Sequence, residues 1–314
     1  MRFAVVGNGK MAIDILKILN QTSGAFVVLA LGDTRKETPH SKLSVLCKEF
    51  GIEYLSSPTL DEPKIFDALA KADLDYIVSV NNFLLFQGPA LTCAKRGVVN
   101  FHNGPLPRYA GLNACSWALF NDERQHGVTW HFVDTGIDSG PILRQRCFEI
   151  AERETAIGLV VKCIREGVSL FRELLPELMN GQAVGTPQTF NNRLYYSGRD
   201  KPYHGYLPWW EGEASVRRLA RAISFAPMPN LFFRPMIFWE GGHGFVEVVG
   251  LPETDAVPLG IIDTIDTKSM LIGLGDFSVR ISDLYDKNGI SIDAKNTGLV
   301  EGEKLIHPVE GGKN

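Results

Sequence analysis

The run RFAVVGNGKMAIDILKIL, residues 2–19, decides the fold. It opens with a short apolar, β-rich segment that stops at Gly7, the mark of a buried strand. Apolar residues at helical spacing follow, so the strand turns straight into a helix. Working outward, the same alternation repeats. AFVVLALGD (25–33) reads as a strand, SKLSVLCKEFG (41–51) as a helix and LDYIVSV (74–80) as a strand. PALTCAKRG (89–97) reads as a helix and VVNFH (98–102) as a strand. Strands alternating with helices predict an α/β fold with a mostly parallel, doubly wound sheet. Such sheets bind ligands beyond the carboxyl ends of their strands, and His102 lies at one of those ends.

GVTWHFVD (127–134) and GPILRQRCFEI (140–150) are two further strand-like runs. A long helix is predicted from Thr155, its N-cap, to Gly181, its stop. Its apolar stripe is expected on Ile157, Val161, Ile164, Val168, Phe171, Leu175 and Leu178, with a kink at Pro176. The chain then loses periodicity from 182 to 208. SVRRLARAI (215–223) reads as a short helix, and from 244 onward come short β-rich runs broken by glycine and aspartate. The expected division is a catalytic domain at 1–200 and a small β-rich domain, with its linker, at 201–314.

The 314 residues are 45% hydrophobic and 22% charged, with a net charge of −4, the make-up of a globular protein without a basic excess for nucleic acid. Five widely spaced cysteines include no C-x-x-C pair, so neither a disulfide framework nor a metal site is expected, and free thiols fit a reducing cytoplasm. The first apolar run is too short for a signal h-region, and no segment reaches membrane-spanning length.

Three places carry chemistry. GNGKMA (7–12) fits the dinucleotide pattern G-x-G-x-x-A, and Asp33 sits where a ribose-binding acid belongs. A tight strand-to-helix turn needs glycine in any case, so both readings stay open here. In NFHNGPLPRYAG (100–111), Asn100 and His102 are two residues apart and share one face of a strand, and Pro105 and Pro107 stiffen the exit. DTGIDSGPIL (134–143) is either a plain hairpin turn or the source of an acid that orients an imidazole. An amide, an imidazole and a carboxylate with no nucleophile suit direct group transfer, the amide meeting a developing oxyanion.

The stretch from Asn100 to Leu143 resembles the core of the folate-dependent formyltransferases. The resemblance rests on an Asn-x-His pair, a proline-containing loop, and an aspartate in a D-x-G-x-D-[ST]-G loop. It implies a Rossmann-like domain followed by a small open barrel, with Asn100, His102 and Asp138 as the catalytic residues and 10-formyltetrahydrofolate as formyl donor. By position it implies that Leu84, Leu85 and Phe86 present backbone groups to the pterin. Gly104, Pro105, Leu106, Pro107, Asp134, Gly136 and Ile137 are the remaining expected donor contacts. Gly104 and Pro105 stand where the family commonly has Ser and Leu. The resemblance also makes the N-terminal half a scaffold, which argues against a nicotinamide cofactor.

The expected acceptor is a small or carrier-bound primary amine, because RRLARAISFAPMPN (217–230) is similar to segments of amino-sugar and assembly-line formyltransferases. Methionyl-tRNA formyltransferase is the alternative, opposed by the short, mixed-charge run GDTRKETPHSKLS (32–44) where those enzymes carry a basic loop. A 10-formyltetrahydrofolate hydrolase would use the same triad. Tyr203, Tyr206, Trp209 and Trp210 either stack on the acceptor or pack the domain junction. His126, His131 and His204 match no family role and read as structural or acceptor-side.

Overall fold

A computed structural model describes residues 1–35, 42–228 and 230–308. The charged stretch 36–41 of the mixed-charge run lies outside the described residues. In chain order the elements are β1 (Arg2–Gly7), α1 (Gly9–Gln21), β2 (Phe26–Asp33), α2 (Lys42–Phe50), β3 (Glu53–Ser57), α3 (Pro63–Lys71), β4 (Tyr76–Val80) and β5 (Val98–His102). Next come β6 (Ala110–Gly111), α4 (Ala114–Phe120), β7 (Gln125–Phe132), β8 (Ile142–Glu149), α5 (Ala156–Asn180), β9 (Tyr195–Tyr196) and α6 (Glu213–Ile223). The chain ends with β10 (Met236–Trp239), β11 (Gly242–Val249), β12 (Ile262–Ile265), β13 (Ser269–Gly273) and β14 (Ser278–Tyr285). None of the described helices is long and apolar enough to cross a membrane.

The chain forms two compact units. The first comprises Met1–Gly111, Gln125–Phe148 and Val161–Tyr195. Its seven-stranded sheet has the order β3-β2-β1-β4-β5-β7-β8, parallel from β3 through β5 and antiparallel between β5 and β7. Burial on both faces explains the apolar run of β1, which hides every residue except Arg2. Gly7 is obligatory, because a Cβ there would stand 1.9 Å from the Val80 carbonyl oxygen.

Two expectations are corrected here. Residues 89–97 do not form an α-helix; a 3₁₀ turn covers Gly88–Thr92. Past that turn the backbone is drawn away, with Lys95 N–H donating to Leu74 O and Arg96 N–H to Asp75 O. On α5 the cap is where it was read, Thr155 Oγ accepting from Gly158 N–H, and Gly181 ends the helix at φ +66°. The expected Phe171, Leu175 and Leu178 are buried, but in the first half of the helix the buried residues are Leu159 and Cys163, with Leu170 and Leu174 further on, and Val161 is exposed. The face is set by Gly167, one of two glycines in the helix, where a Cβ would stand 2.2 Å from the Phe101 ring.

The second unit comprises Leu112–Arg124, Glu149–Val160 and Tyr196–Asn314, described to residue 308. Within it α4 packs on α6. A five-stranded antiparallel sheet, β10-β11-β14-β13-β12, supplies the rest of its core. Trp209, 4% exposed, belongs to that core and packs on Gly260, where a Cβ would sit 2.5 Å from the indole. Trp210 is partly buried against the same cluster. Of the two readings for this aromatic run, packing holds for Trp209, within the core of this unit. Trp209→Ala is expected to destabilise the protein by about 3–5 kcal/mol, read as a lower Tm.

Candidate active site

Register builds the site. In the parallel pair β4–β5, Ser79 stands beside Asn100; in the antiparallel pair β5–β7, Asn100 faces His131 and His102 faces Thr129. Alternation along β5 turns Phe101 to the opposite face, where it meets Trp130 at 5.4 Å between ring centroids. Trp130 in turn packs on Phe171 and donates its indole N–H to Gly167 O. A row of polar side chains thus crosses three strands above an aromatic floor.

Hydrogen bonds fix how that row points. Ser79 Oγ–H donates to Asn100 Oδ1 at 2.8 Å. Asn100 Nδ2 is 3.1 Å from His131 Nε2. His131 Nδ1 is 2.8 Å from the Phe132 carbonyl, so Nδ1 carries the ring proton and Nε2 is left to accept from the amide. One of the two hydrogens on Asn100 Nδ2 is used in this way, and the other is available to a ligand oxygen.

His102 is 6% exposed, and its Nε2–H donates to the Tyr109 carbonyl at 2.7 Å. Its Nδ1 lies 3.4 Å from Asp138 Oδ2, a contact that attracts only when Nδ1 is protonated as well. Asp138, its side chain 13% exposed, sits between two imidazoles, with Oδ1 3.5 Å from His131 Nε2. Oδ2 also accepts from Gly111 N–H at 2.8 Å. Burial alone would raise the Asp138 carboxyl; the charge of His102, the adjacent His131 imidazole and the Gly111 N–H outweigh it and hold the group well below the usual carboxylate range.

The structure therefore brings Asn100, His102 and Asp138 together. Gly104 and Leu106 border them: Thr129 Oγ–H donates to Gly104 O, and Gln145 Nε2 donates to Leu106 O. Pro105 and Pro107 are half-buried in the same loop. Asp134 Oδ1 accepts from Gly136 N–H and from Ser139 Oγ–H, which shapes the turn that carries Asp138 at φ +49°. Ile137 is exposed at the crest of that turn. Leu84 and Phe86 are buried and Leu85 is exposed; the Leu84 N–H and C=O are both engaged by the Asn82 side chain. That amide also donates to Ser79 Oγ, so the Leu84–Phe86 turn is wired to Asn100.

His131, expected from the sequence to be structural or acceptor-side, is a member of the cluster. Its signal was present as Thr129-x-His131 on the strand following Asn100-x-His102, with the same two-residue period. Nothing in local sequence marked Ser79, whose position depends on parallel pairing. His126 Nε2 is 2.8 Å from Asn103 O and holds the loop from beneath. His204 belongs to the second unit.

Glycine at 104 is enforced by the site itself. A Cβ there would lie 2.8 Å from His102 Nε2 and 3.0 Å from Tyr109 O, between the two atoms that bond to each other. Gly104→Ala is expected to displace the imidazole and cut turnover by up to about 100-fold, with little change in Tm. Steady-state rates paired with thermal melting check it.

A spare amide hydrogen thus lies beside a carboxylate set between two imidazoles. The sequence model of the formyl transferase family matches residues 1–174, more than half of the chain, and the chain belongs to that family. It is a formyltransferase of mostly parallel α/β architecture with a separate antiparallel sheet. Among solved structures it is similar to WlaRD, a sugar 3N-formyl transferase determined in the presence of dTDP and 5-N-formyl-THF. That match has 18% identity and a TM-score of 0.66 over 90% of this chain and 97% of that one. HypX from Aquifex aeolicus, determined with tetrahydrofolic acid, matches at 18% identity and a TM-score of 0.65, over 94% of this chain and 46% of that one. Glycinamide ribonucleotide transformylase 1 from Symbiobacterium toebii matches at 21% identity and a TM-score of 0.51, over 58% of this chain and 88% of that one. These likenesses speak to the fold.

Proposed function

We propose that this chain transfers a formyl group from 10-formyltetrahydrofolate to a primary amine of a small or carrier-bound acceptor, an amino-sugar nucleotide foremost. One observation carries the reading: the half-used amide of Asn100 beside the His102–Asp138–His131 cluster, wired through Ser79 and Asn82 to the Leu84–Phe86 turn. The residues fit such a donor, since the apolar side chains at 84–86 and the backbone groups of Leu85 and Phe86 suit a flat heterocycle with amide-like edges, while Asn82 holds the Leu84 backbone. Asp134, Gly136, Ile137 and the Gly104–Pro107 loop complete its surroundings in this reading. When bound, the folate supplies an activated formyl carbonyl.

The chain's own residues then do three things. The second Nδ2 hydrogen of Asn100 donates to the carbonyl oxygen as it gains charge. His102 adds positive charge and its Nε2–H, which here rests on the Tyr109 carbonyl. Asp138, 3.4 Å from His102 Nδ1, takes the proton that the attacking amine sheds, which then goes to the departing donor nitrogen. The acceptor preference is supported by the likeness of residues 217–230 to amino-sugar enzymes and by the absence of a basic excess.

The test is incubation with 10-formyltetrahydrofolate and a panel of amines, with mass spectrometry reading the gain of one formyl group. Formylation of a sugar nucleotide is expected. Formylation of charged initiator tRNA alone would favour the tRNA enzyme, and formate released without any acceptor the hydrolase. Calorimetry should show binding of reduced folate and none of NAD. At the GNGKMA turn Asn8 is folded inward, accepting from Asp33 N–H, and both carboxylate oxygens of Asp33 are taken by Arg35. An acid so engaged is a poor partner for a ribose hydroxyl.

A further inference from the structure

We infer that the segment from Thr186 to Leu194 is a strap that positions the Asp138 carboxylate, with Gln188 as its principal positioning residue. The inference rests on the formyl-transfer reading only for its rate measurements. Three observations carry it.

The first is the Gln188 amide. Its Nε2 donates to two backbone carbonyls at once, Asp138 O at 3.0 Å and Gly140 O at 2.7 Å. Its Oε1 is buried with no hydrogen-bond partner. The two carbonyls dictate the amide's orientation, because the reverse would set oxygen against oxygen. A buried acceptor left unpaired is a standing cost, tolerated here for what the nitrogen holds.

The second is the turn being held. Asp138 has φ +49°, the left-handed region that favours glycine, so the turn does not keep this shape unaided. Gly140 cannot carry a side chain, since its Cβ would stand 1.8 Å from Phe132 O. Arg193 adds a third clamp through Nη2, 2.6 Å from Ile137 O, with its guanidinium 5.3 Å from the Phe190 ring centroid. Three carbonyls of the turn, at 137, 138 and 140, are thus held by two side chains of the strap.

The third is that the strap reaches both loops that meet at the carboxylate. At one end Thr186 and Ile142 exchange backbone hydrogen bonds at 2.8 Å each, and Gly185 packs so closely on Pro141 that a Cβ would come within 2.6 Å. At the other end Ala110 N–H donates to Leu194 O at 2.8 Å. Residues 109–111 supply the carbonyl that receives His102 Nε2–H and the N–H that binds Asp138 Oδ2. One strap therefore sets the separation of His102 from Asp138 without touching either reacting group, and rotating the turn moves the carboxylate out from between its two imidazoles.

Gln188→Met keeps the length and removes the donor. Two readouts separate positioning from simple stability. First, the Asp138 carboxyl carbon is titrated by NMR without substrate. Its midpoint is expected to rise clearly in Gln188→Met, because the carboxylate drifts from His102 and His131. Second, kcat is expected to fall about 10- to 100-fold in the wild-type background but to change little further in an Asp138→Asn background, since the effect runs through that carboxylate. A strap that only stabilised would lower Tm equally in both backgrounds and leave the titration alone. An unchanged Asp138 midpoint, or a kcat loss that multiplies fully with Asp138→Asn, overturns the proposal. If the wild type transferred no formyl group, the functional reading would fall while the titration still decided the strap. Arg193→Met, which removes the Ile137 clamp and the guanidinium contacts with Phe190 and Tyr195 but leaves Gln188 in place, carries the same titration should Gln188→Met fail to fold.

Discussion

Asp138→Asn is expected to lower formyl transfer by about 100- to 10,000-fold while the chain still folds. The amide keeps the size of the carboxyl and an oxygen for the Gly111 N–H. What it loses is the negative charge between His102 and His131. Without that charge the His102 imidazole has no counter-ion, and the proton shed by the amine has no base. The pH behaviour follows from the depressed Asp138 carboxyl. Its folded value lies below the ordinary 3.8, so its contribution to stability is complete above about pH 4 and fades as pH falls through the lower folded value. Asp138→Asn should therefore flatten the acid limb of the stability curve. From about pH 5 upward the wild-type carboxylate is ionised, so any loss of rate in that range reports another group. Stopped-time mass spectrometry for rate and melting curves at several pH values check both statements. Near-normal turnover in Asp138→Asn would remove this residue from the chemistry.

What could be read beforehand, and what could not, follows the range of the interactions. β1, α1, β2, β4 and β5 announce themselves through short apolar runs and glycine stops, because their determinants lie within a few residues. Asn100, His102 and Asp138 were legible through motif and spacing. The stripe of α5 was legible at Phe171, Leu175 and Leu178 but not in its first half, because Val161 and Cys163 are both apolar and only the approach of Phe101 to Gly167 chooses between faces. The helix expected at 89–97 failed for a related reason: Lys95 and Arg96 give their backbone N–H groups to residues 74 and 75, partners a local window does not contain. Ser79, His131 and Gln188 enter the site by strand pairing and by a strap closing across some fifty residues, 188 back to 138 and 140. Of these only His131 left a periodic trace.

Asn100→Ala is expected to cost about 100- to 1,000-fold in turnover, the effect of removing one oxyanion donor. The same change strips Ser79 Oγ–H of its acceptor and His131 Nε2 of its donor, so a stability loss of about 1–3 kcal/mol should accompany it. Rate loss and stability loss are thus confounded in the alanine variant, and Asn100→Asp separates them. Aspartate keeps an oxygen for Ser79 and nearly the same volume, yet offers no hydrogen to a carbonyl oxygen gaining charge. It also puts a second carboxylate beside His131 and Asp138, which favours a protonated His131 bridging the pair. Asn100→Asp should accordingly fold well at neutral pH and transfer formyl no faster than Asn100→Ala. Folate affinity, measured by calorimetry, should change much less than turnover in both variants, because the lost interaction strengthens only as the carbonyl oxygen takes up charge. If Asn100→Asp instead kept most of the wild-type rate, the amide hydrogen would not be the donor that the Ser79–Asn100–His131 row holds in place.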